Sequence, residues 1–242
     1  MGAFDLPRDR VFEIAEADFR VEASAHPFER DNLGAAAAHW RTEHAANPAL
    51  FDGRIMLFSS LRFDGRVLRG ACHEVAYSTF LYWRGVPEAA GAEHCFGHAI
   101  PVSSDGRLIA IKMGPRTAGA GKVYFAAGSF EPVDVVNGRL DIVGNMAREV
   151  GEETGLDLAA ARQEARWHAW SRDGRTVIFK RFVLALTAEE IVAAIDAHVA
   201  AESDPEIVGA VVIRDAEDLP AALAPQMPPL IAWHFANPEF AL

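Results

Sequence analysis

The sequence of 242 residues is poor in cysteine and lysine and has no long apolar run. Its two cysteines, Cys72 and Cys95, are too few for a disulfide framework, which fits a reducing compartment. No apolar stretch approaches the roughly 18 residues that suggest a membrane span, and the first residues lack the positive start and apolar run of a signal peptide. We therefore expect a cytoplasmic chain that contacts no membrane.

Positive charge is also scarce. There are 23 Lys and Arg residues against 34 Asp and Glu residues, so the net charge at pH 7 is −11. A chain this acidic repels the phosphate backbone of nucleic acids at long range, and we expect no nucleic-acid partner. A small phosphate-bearing substrate would need a bound cation or a few suitably placed arginines.

Strand and helix signals are mixed along the chain without strict alternation. The apolar segments at 107–113 and 176–186 predict strands, and Thr187 with Glu190 predicts a capping box at the start of a helix. This mixture indicates an α/β (α+β) fold in which helices pack on the faces of a mixed sheet.

The simplest partition of the chain has three parts. Residues 1–91 form an N-terminal extension lobe of strands and a helix, and residues 92–220 form the core domain. Residues 221–242 form a C-terminal tail that packs on the core. The length of the chain is compatible with one core domain that carries an additional lobe.

Three glutamates are crowded in the segment 148–156, REVGEETGL. If this segment is helical, Glu149 shares a face with both Glu152 and Glu153. Like charges at this spacing destabilise a helix, and its C-terminal end disfavours negative charge. A bound Mg²⁺ would remove the conflict, because it takes oxygen ligands and leaves positions for water and substrate phosphates. The alternative interpretation is a solvated acidic patch.

The same segment resembles the second half of the Nudix box, whose full pattern is G-x5-E-x7-R-E-U-x-E-E-x-G-U with U aliphatic. Every specified position from Arg148 to Leu156 matches this pattern. Upstream, the turn Ala126-Ala127-Gly128 is similar to the family's turn after a strand. The resemblance to Nudix hydrolases covers roughly residues 97–220 and implies a Nudix-like α/β/α sandwich.

The spacing departs from the family pattern in the first half of the box. Counted from Gly128, the arginine should stand at position 142, but Arg148 lies six residues later. Counted back from Arg148, the first glutamate should stand at Leu140. The acidic candidates near that point are Asp141, Asp134 and Glu131. The identity of the first carboxylate therefore stays open.

The resemblance implies hydrolysis of a diphosphate linkage in a nucleoside diphosphate derivative, with Mg²⁺ as the cofactor and Mn²⁺ as a substitute. It implies that Glu149, Glu152 and Glu153 bind the metal. The backbone carbonyl of Gly128 would complete the ligand set.

The resemblance also implies roles for residues around the metal. Arg148 would hold a neighbouring glutamate in its metal-binding orientation. Glu152 or Glu206 would deprotonate the attacking water. Lys112 and Arg116 would contact the substrate phosphates.

The N-terminal part of the chain favours one substrate class. Residues 73–81, HEVAYSTFL, resemble the segment ahead of the core in nucleoside-diphosphate-sugar hydrolases, so a nucleotide sugar is the preferred substrate. The alternatives are a coenzyme A diphosphatase-like hydrolase and a non-catalytic nucleotide-ligand sensor with a Nudix fold. A homodimer is one option for assembly.

Overall fold

The computed structural model describes residues 2–86, 91–117, 119–217 and 219–239. The helices in these ranges are α1 (Pro27–Ala46), α2 (Tyr77–Gly85), α3 (Ile142–Thr154), α4 (Ala188–Ala201) and α5 (Met227–Ala236). Two short 3-10 turns span Pro132–Asp134 and Leu158–Ala160. Throughout the described ranges, every helix is too short or too polar to cross a membrane.

The strands of the described residues belong to two sheets. The first sheet contains, in spatial order, β1 (Phe4–Asp5), β4 (Arg54–Phe63), β5 (Val67–Ala76), β3 (Glu16–Glu22), β10 (Arg139–Leu140) and β9 (Val135–Val136). The second contains β14 (Ile207–Ile213), β7 (Leu108–Met113), β6 (His94–Val102), β13 (Arg175–Val183), β12 (Trp167–Arg172) and β2 (Val11–Ile14). Two short strands, β8 (Val123–Tyr124) and β11 (Arg162–Gln163), pair with β7 and β13.

Both sheets are mixed. In the first sheet, β3 runs parallel to β5 and β4 runs antiparallel to it. In the second, β6 runs parallel to β13, whereas β12 is antiparallel to β13. The mixed sheets and their helices confirm the predicted fold class.

Helices cover both faces of the second sheet. Side chains alternate along β7, so neighbouring residues enter different cores. Ile111 packs in the same core as Met146 of α3 and Ile191 of α4. Ala110 packs with Leu230 of α5 in the core on the opposite face. The arrangement is a helix–sheet–helix sandwich, as the sequence predicted, and the first sheet adds a further layer that carries α1 and α2.

The two sheets exchange strands across the predicted lobe boundary. Strand β2 pairs with β12 of the second sheet, although it lies in the first part of the chain. Strands β9 and β10 lie within the range 92–220, yet β10 pairs with β3 of the first sheet. The partition into 1–91, 92–220 and 221–242 stays a prediction, and the two larger parts interlock.

Helix α3 carries the predicted acidic segment. Asp141 caps its first turn by accepting a hydrogen bond from the Gly144 amide at 2.9 Å. Gly155 ends it in the left-handed conformation, with φ of 70°, as a glycine does at a helix C-terminus. In β6, a Cβ atom at Gly97 would lie 3.1 Å from the Met146 side chain, so glycine there lets α3 approach the sheet closely.

Candidate active site

The C-terminal half of α3 forms one end of a cavity of about 810 Å³. Seven carboxylate side chains line this cavity: Glu131, Glu149, Glu152, Glu153, Glu202, Asp204 and Glu206. Glu149 and Glu153 are one helical turn apart and are 9% and 7% exposed, whereas the Glu152 side chain is 60% exposed. The helix therefore buries two of the three box glutamates and leaves the third in solvent.

Arg148 holds the acidic end of the cavity together. Its guanidinium group lies 2.8 Å from a Glu149 oxygen and 2.9 Å from a Glu152 oxygen. The same group donates two hydrogen bonds to Asp134, at 3.2 and 3.1 Å. One arginine thus binds three carboxylates and fixes the orientation of Glu149.

Asp134 stands where the first acidic residue of the box is expected when the count starts at Gly128, six residues earlier. Its side chain is buried and also accepts a hydrogen bond from Asn145 Nδ2 at 2.9 Å. Of the other two candidates, Asp141 caps α3 and Glu131 lines the cavity. Leu140, which occupies the position counted back from Arg148, is a buried strand residue. The structure therefore brings Asp134, one of the candidates that the sequence left open, to Arg148.

The six additional residues of the box lie after Asp134 and form a β-hairpin. Strands β9 and β10 pair antiparallel around Asn137 and Gly138, whose φ angles are 51° and 74°. Arg139 of β10 pairs with Arg20 of β3, and the Gly138 carbonyl accepts a hydrogen bond from the Val21 amide at 2.9 Å. The insertion therefore joins the start of α3 to the edge of the first sheet.

The turn before the hairpin encloses the buried glutamates. A Cβ atom at Gly128 would lie 2.3 Å from the Glu149 carboxyl group, which explains why a glycine is required there. The adjacent Ala127 amide donates a hydrogen bond to Glu153 at 2.9 Å. The predicted metal-binding turn and glutamates are therefore in direct contact.

Burial disfavours the charged form of both inner glutamates. It raises the pKa of Glu149 to about 7, although the Arg148 charge opposes the shift. Burial and the neighbouring Glu149 charge raise the pKa of Glu153 to about 9, although the Ala127 amide opposes it. A bound cation would reverse both shifts, since opposite charge favours the ionised carboxylate.

The carboxylates are not gathered around a common point in this arrangement. In the described ranges, no three His, Cys, Asp or Glu side chains form a group that could hold a metal ion. The physical reason is the pairing of Glu149 and Glu152 with Arg148 and of Glu153 with the Ala127 amide. A cation would compete with Arg148 for the carboxylates of Glu149 and Glu152.

Two further predicted residues lie at the cavity. Glu206 lines it just before β14, and its negative charge contributes to the raised pKa of Glu153. Arg116 also lines it and forms an ion pair with Asp204 on the surface. Both residues line the cavity, and their predicted roles stay predictions.

Lys112 is not brought to the cavity. It alternates with Ile111 and Met113 on β7, and Met113 is the residue that lines the cavity. Because successive side chains of a strand point to opposite faces, Lys112 points away from Met113. The structure therefore gives no support for its predicted phosphate contact.

Comparisons with known proteins add a likeness to solved Nudix structures. No family model and no curated protein matches the chain. The chain is similar to a MutT protein from Methanosarcina mazei Go1, at 19% identity over 39% of this chain and 64% of that one, with a TM-score of 0.28. The match thus spans less than two thirds of the Methanosarcina protein.

The matches to two other solved structures span a larger share of those chains. The ORF135 protein of E. coli is 19% identical over 60% of this chain and 92% of that one, with a TM-score of 0.37. A Nudix hydrolase from Nitrosomonas europaea is 17% identical over 73% of this chain and 85% of that one, with a TM-score of 0.38.

Sequence reasoning missed the residues that the N-terminal part of the chain contributes. Phe51, Arg54 and Tyr77 line the same cavity as the glutamates of α3. Tyr77 lies in the segment 73–81 that the sequence connected with substrate, but no local pattern distinguished Phe51 or Arg54. Tyr124, just ahead of Gly128, also lines the cavity and could have been found from its closeness to the box.

Proposed function

We propose that this chain is a Mg²⁺-dependent hydrolase that cleaves a diphosphate linkage in a nucleoside diphosphate derivative, preferably a nucleotide sugar. One observation carries the proposal: the box glutamates meet the backbone of residues 127–128 at one end of a cavity of about 810 Å³. A cavity of this volume suits a ligand of nucleotide size.

The residues at this end of the cavity suit a divalent cation in the type of donor they offer. Glu149, Glu152, Glu153 and the Gly128 carbonyl would hold Mg²⁺, or Mn²⁺ in its place, since both ions prefer oxygen ligands. Two of these carboxylates are buried with raised pKa values, and a cation would supply the missing positive charge. When bound, the ion would neutralise charge on the diphosphate.

The protein side chains would orient the reaction. Arg148 positions Glu149 and is itself held by Asp134. Glu152 and Glu206 are the candidates for deprotonating the attacking water, because both are exposed at the cavity. Arg116, which also lines the cavity, would contact a substrate phosphate.

The test is release of the two phosphomonoester products from each compound of a panel, with Mg²⁺ and with EDTA. The panel contains a UDP-hexose, ADP-ribose and a coenzyme A thioester. We expect turnover of the nucleotide sugar only with Mg²⁺, and a loss of at least about 100-fold for Glu153→Gln.

The matched control is Glu189→Gln, which changes an exposed glutamate of α4 outside the cavity. It should keep full activity, and thermal unfolding should verify that both variants fold. Full activity of Glu153→Gln, or equal turnover in EDTA, would contradict the proposal.

A second function, a non-catalytic nucleotide sensor, is favoured by one observation. Arg148 engages Glu149 and Glu152, two of the carboxylates that a metal would need. A sensor would bind members of the panel without cleaving any of them. Binding without turnover in the presence of Mg²⁺ would therefore favour this second function.

A further inference from the structure

We infer that Phe51 is a specificity-determining residue that stacks on the planar base of the substrate. The inference rests on the proposed function, because it assigns the base of a nucleoside diphosphate derivative to the part of the cavity that Phe51 lines. It concerns a part of the chain outside the resemblance to the Nudix box.

The Phe51 ring is exposed and therefore contributes little to the stability of the fold. It lines the cavity with 82% of its surface in solvent, the largest exposed fraction among the exposed large hydrophobic side chains of the described residues. A ring of this kind gains almost none of the free energy that burial gives a core phenylalanine. Its free surface is available to a ligand.

Hydrogen bonds at the two residues after Phe51 hold this segment in place. The Asp52 carboxylate accepts a hydrogen bond from the Ser78 amide at 2.7 Å, and the Gly53 carbonyl accepts one from the Tyr77 amide at 2.9 Å. A Cβ atom at Gly53 would lie 3.4 Å from the Phe51 ring, so the ring lies close to this backbone. These bonds anchor the segment to the start of α2.

The charges near Phe51 favour an uncharged planar group. Arg54, three residues further along the chain, pairs with Glu74 at 3.3 Å. Because this arginine already has an acidic partner, the positive charge next to Phe51 is balanced. Every nucleobase has a π face, and aromatic side chains stack on such faces with little dependence on sequence.

Two tyrosines extend the aromatic surface from Phe51 toward the glutamates. Tyr77 and Tyr124 are half-buried and line the same cavity. The charges of Glu153 and Glu206 contribute to the raised pKa of Tyr124, so this tyrosine lies near the acidic end. A ligand could therefore place its base at Phe51 and its phosphates near the glutamates.

The test measures binding by calorimetry in EDTA, where metal-dependent turnover is absent. The probes are AMP and UMP, which carry a base, and ribose 5-phosphate, which has none. We expect Phe51→Ala to weaken AMP and UMP binding by about 5- to 100-fold, the range that loss of one stacking contact gives. Ribose 5-phosphate binding should stay unchanged, and Phe51→Trp should restore AMP affinity.

Leu33→Ala provides the matched control, because Leu33 is 61% exposed on α1 and lies outside the cavity. Wild-type affinity of Phe51→Ala for AMP would overturn the inference, and so would an equal loss of all three probes. Since turnover is not measured, selective loss of AMP binding supports the inference even if no hydrolysis is found. Hydrolysis with unchanged AMP binding would leave the proposed function standing and remove the role of Phe51.

Discussion

The two walls of the cavity are built in different ways. We refer to Glu149, Glu152 and Glu153 as the acidic wall and to Phe51, Arg54 and Tyr77 as the N-terminal wall. In the acidic wall, a network through Arg148 and the backbone of residues 127–128 fixes the buried side chains. In the N-terminal wall, hydrogen bonds fix the backbone, while the Phe51 ring stays in solvent.

This difference separates two requirements, the precise positioning of reacting groups and the selection of a ligand. A group that takes part in a reaction must be held by its neighbours to within a fraction of an ångström, and the acidic wall has such neighbours. A group that selects a ligand can sit on a connecting segment whose backbone alone is anchored. Changes to the acidic wall, or to the residues that hold it in place, should therefore reduce activity and stability far more than matched changes elsewhere in the chain.

The largest effect is expected for Gly128→Ala. The added methyl group would overlap the Glu149 carboxyl group, so we expect about a 100-fold loss of activity and a free energy of unfolding lower by about 1–3 kcal/mol. In Gly151→Ala the nearest atom to the new Cβ is 4.0 Å away, and the helix should gain about 0.5–1 kcal/mol. Steady-state kinetics and urea unfolding of both variants measure these effects. Equal activity and stability of the two variants would show that the acidic wall does not require close contact with Gly128.

A second large effect is expected for Asp134→Asn, which removes the buried negative charge beside Arg148. We expect the free energy of unfolding to fall by about 1.5–3 kcal/mol, because Asp134 loses its charge-assisted hydrogen bonds while Arg148 keeps Glu149 and Glu152 as partners. Asp31→Asn breaks an exposed ion pair with Arg30 and should leave the free energy of unfolding nearly unchanged. Urea denaturation of both variants tests this, and similar losses would show that the network does not hold the acidic wall.

Acid should weaken the helix that leads into the N-terminal wall. His26 is buried and accepts a hydrogen bond from the Phe28 amide at the start of α1. Burial lowers the pKa of His26 to about 4, from 6.5. Between these values the unfolded chain takes up a proton that the folded chain does not, so stability is full above pH 6.5 and falls as the pH decreases toward 4.

At pH 5 we expect this histidine to cost about 2 kcal/mol relative to neutral pH. His26→Asn keeps a residue that caps helices well and removes the titration, so unfolding in urea should depend less on pH between 7 and 5. His44→Asn, which changes an exposed histidine of the same helix, should keep the wild-type slope. An unchanged slope in His26→Asn would rule out this explanation.

The smallest effect is expected at the hairpin that links the acidic wall to the first sheet. Gly138 and Gly65 both have positive φ angles, 74° and 92°, with open space around the missing Cβ. Alanine at either position should cost about 1 kcal/mol. Only Gly138→Ala should also lower kcat, by about two- to threefold, because its hairpin leads into α3. Equal kcat values would show that the hairpin does not position α3.

Local signals predicted much of this site. The helix over the box and the capping box of Thr187 and Glu190 are both confirmed. Each depends on residues within one or two helical turns, so the sequence alone contains the information. The mixed fold class followed from the same kind of local pattern.

Long-range pairing could not be predicted in the same way. Nothing in β2 indicates that it joins the second sheet, since its partner β12 lies more than 150 residues later. The engagement of Glu149 and Glu152 by Arg148 depends on side-chain positions that spacing does not determine. The direction of Lys112 depends on the register of β7, which also becomes clear only in the folded chain.

The hairpin at Asn137 and Gly138 has one more consequence. Its two strands leave and rejoin the box next to each other, because the Asp134 carbonyl accepts a hydrogen bond from the Asp141 amide at 2.8 Å. An insertion at this point lengthens the chain without moving the flanking residues apart. A pattern that requires fixed spacing cannot match this chain, whereas one that treats Gly128 to Asp134 and Arg148 to Glu153 as separate segments accommodates the hairpin.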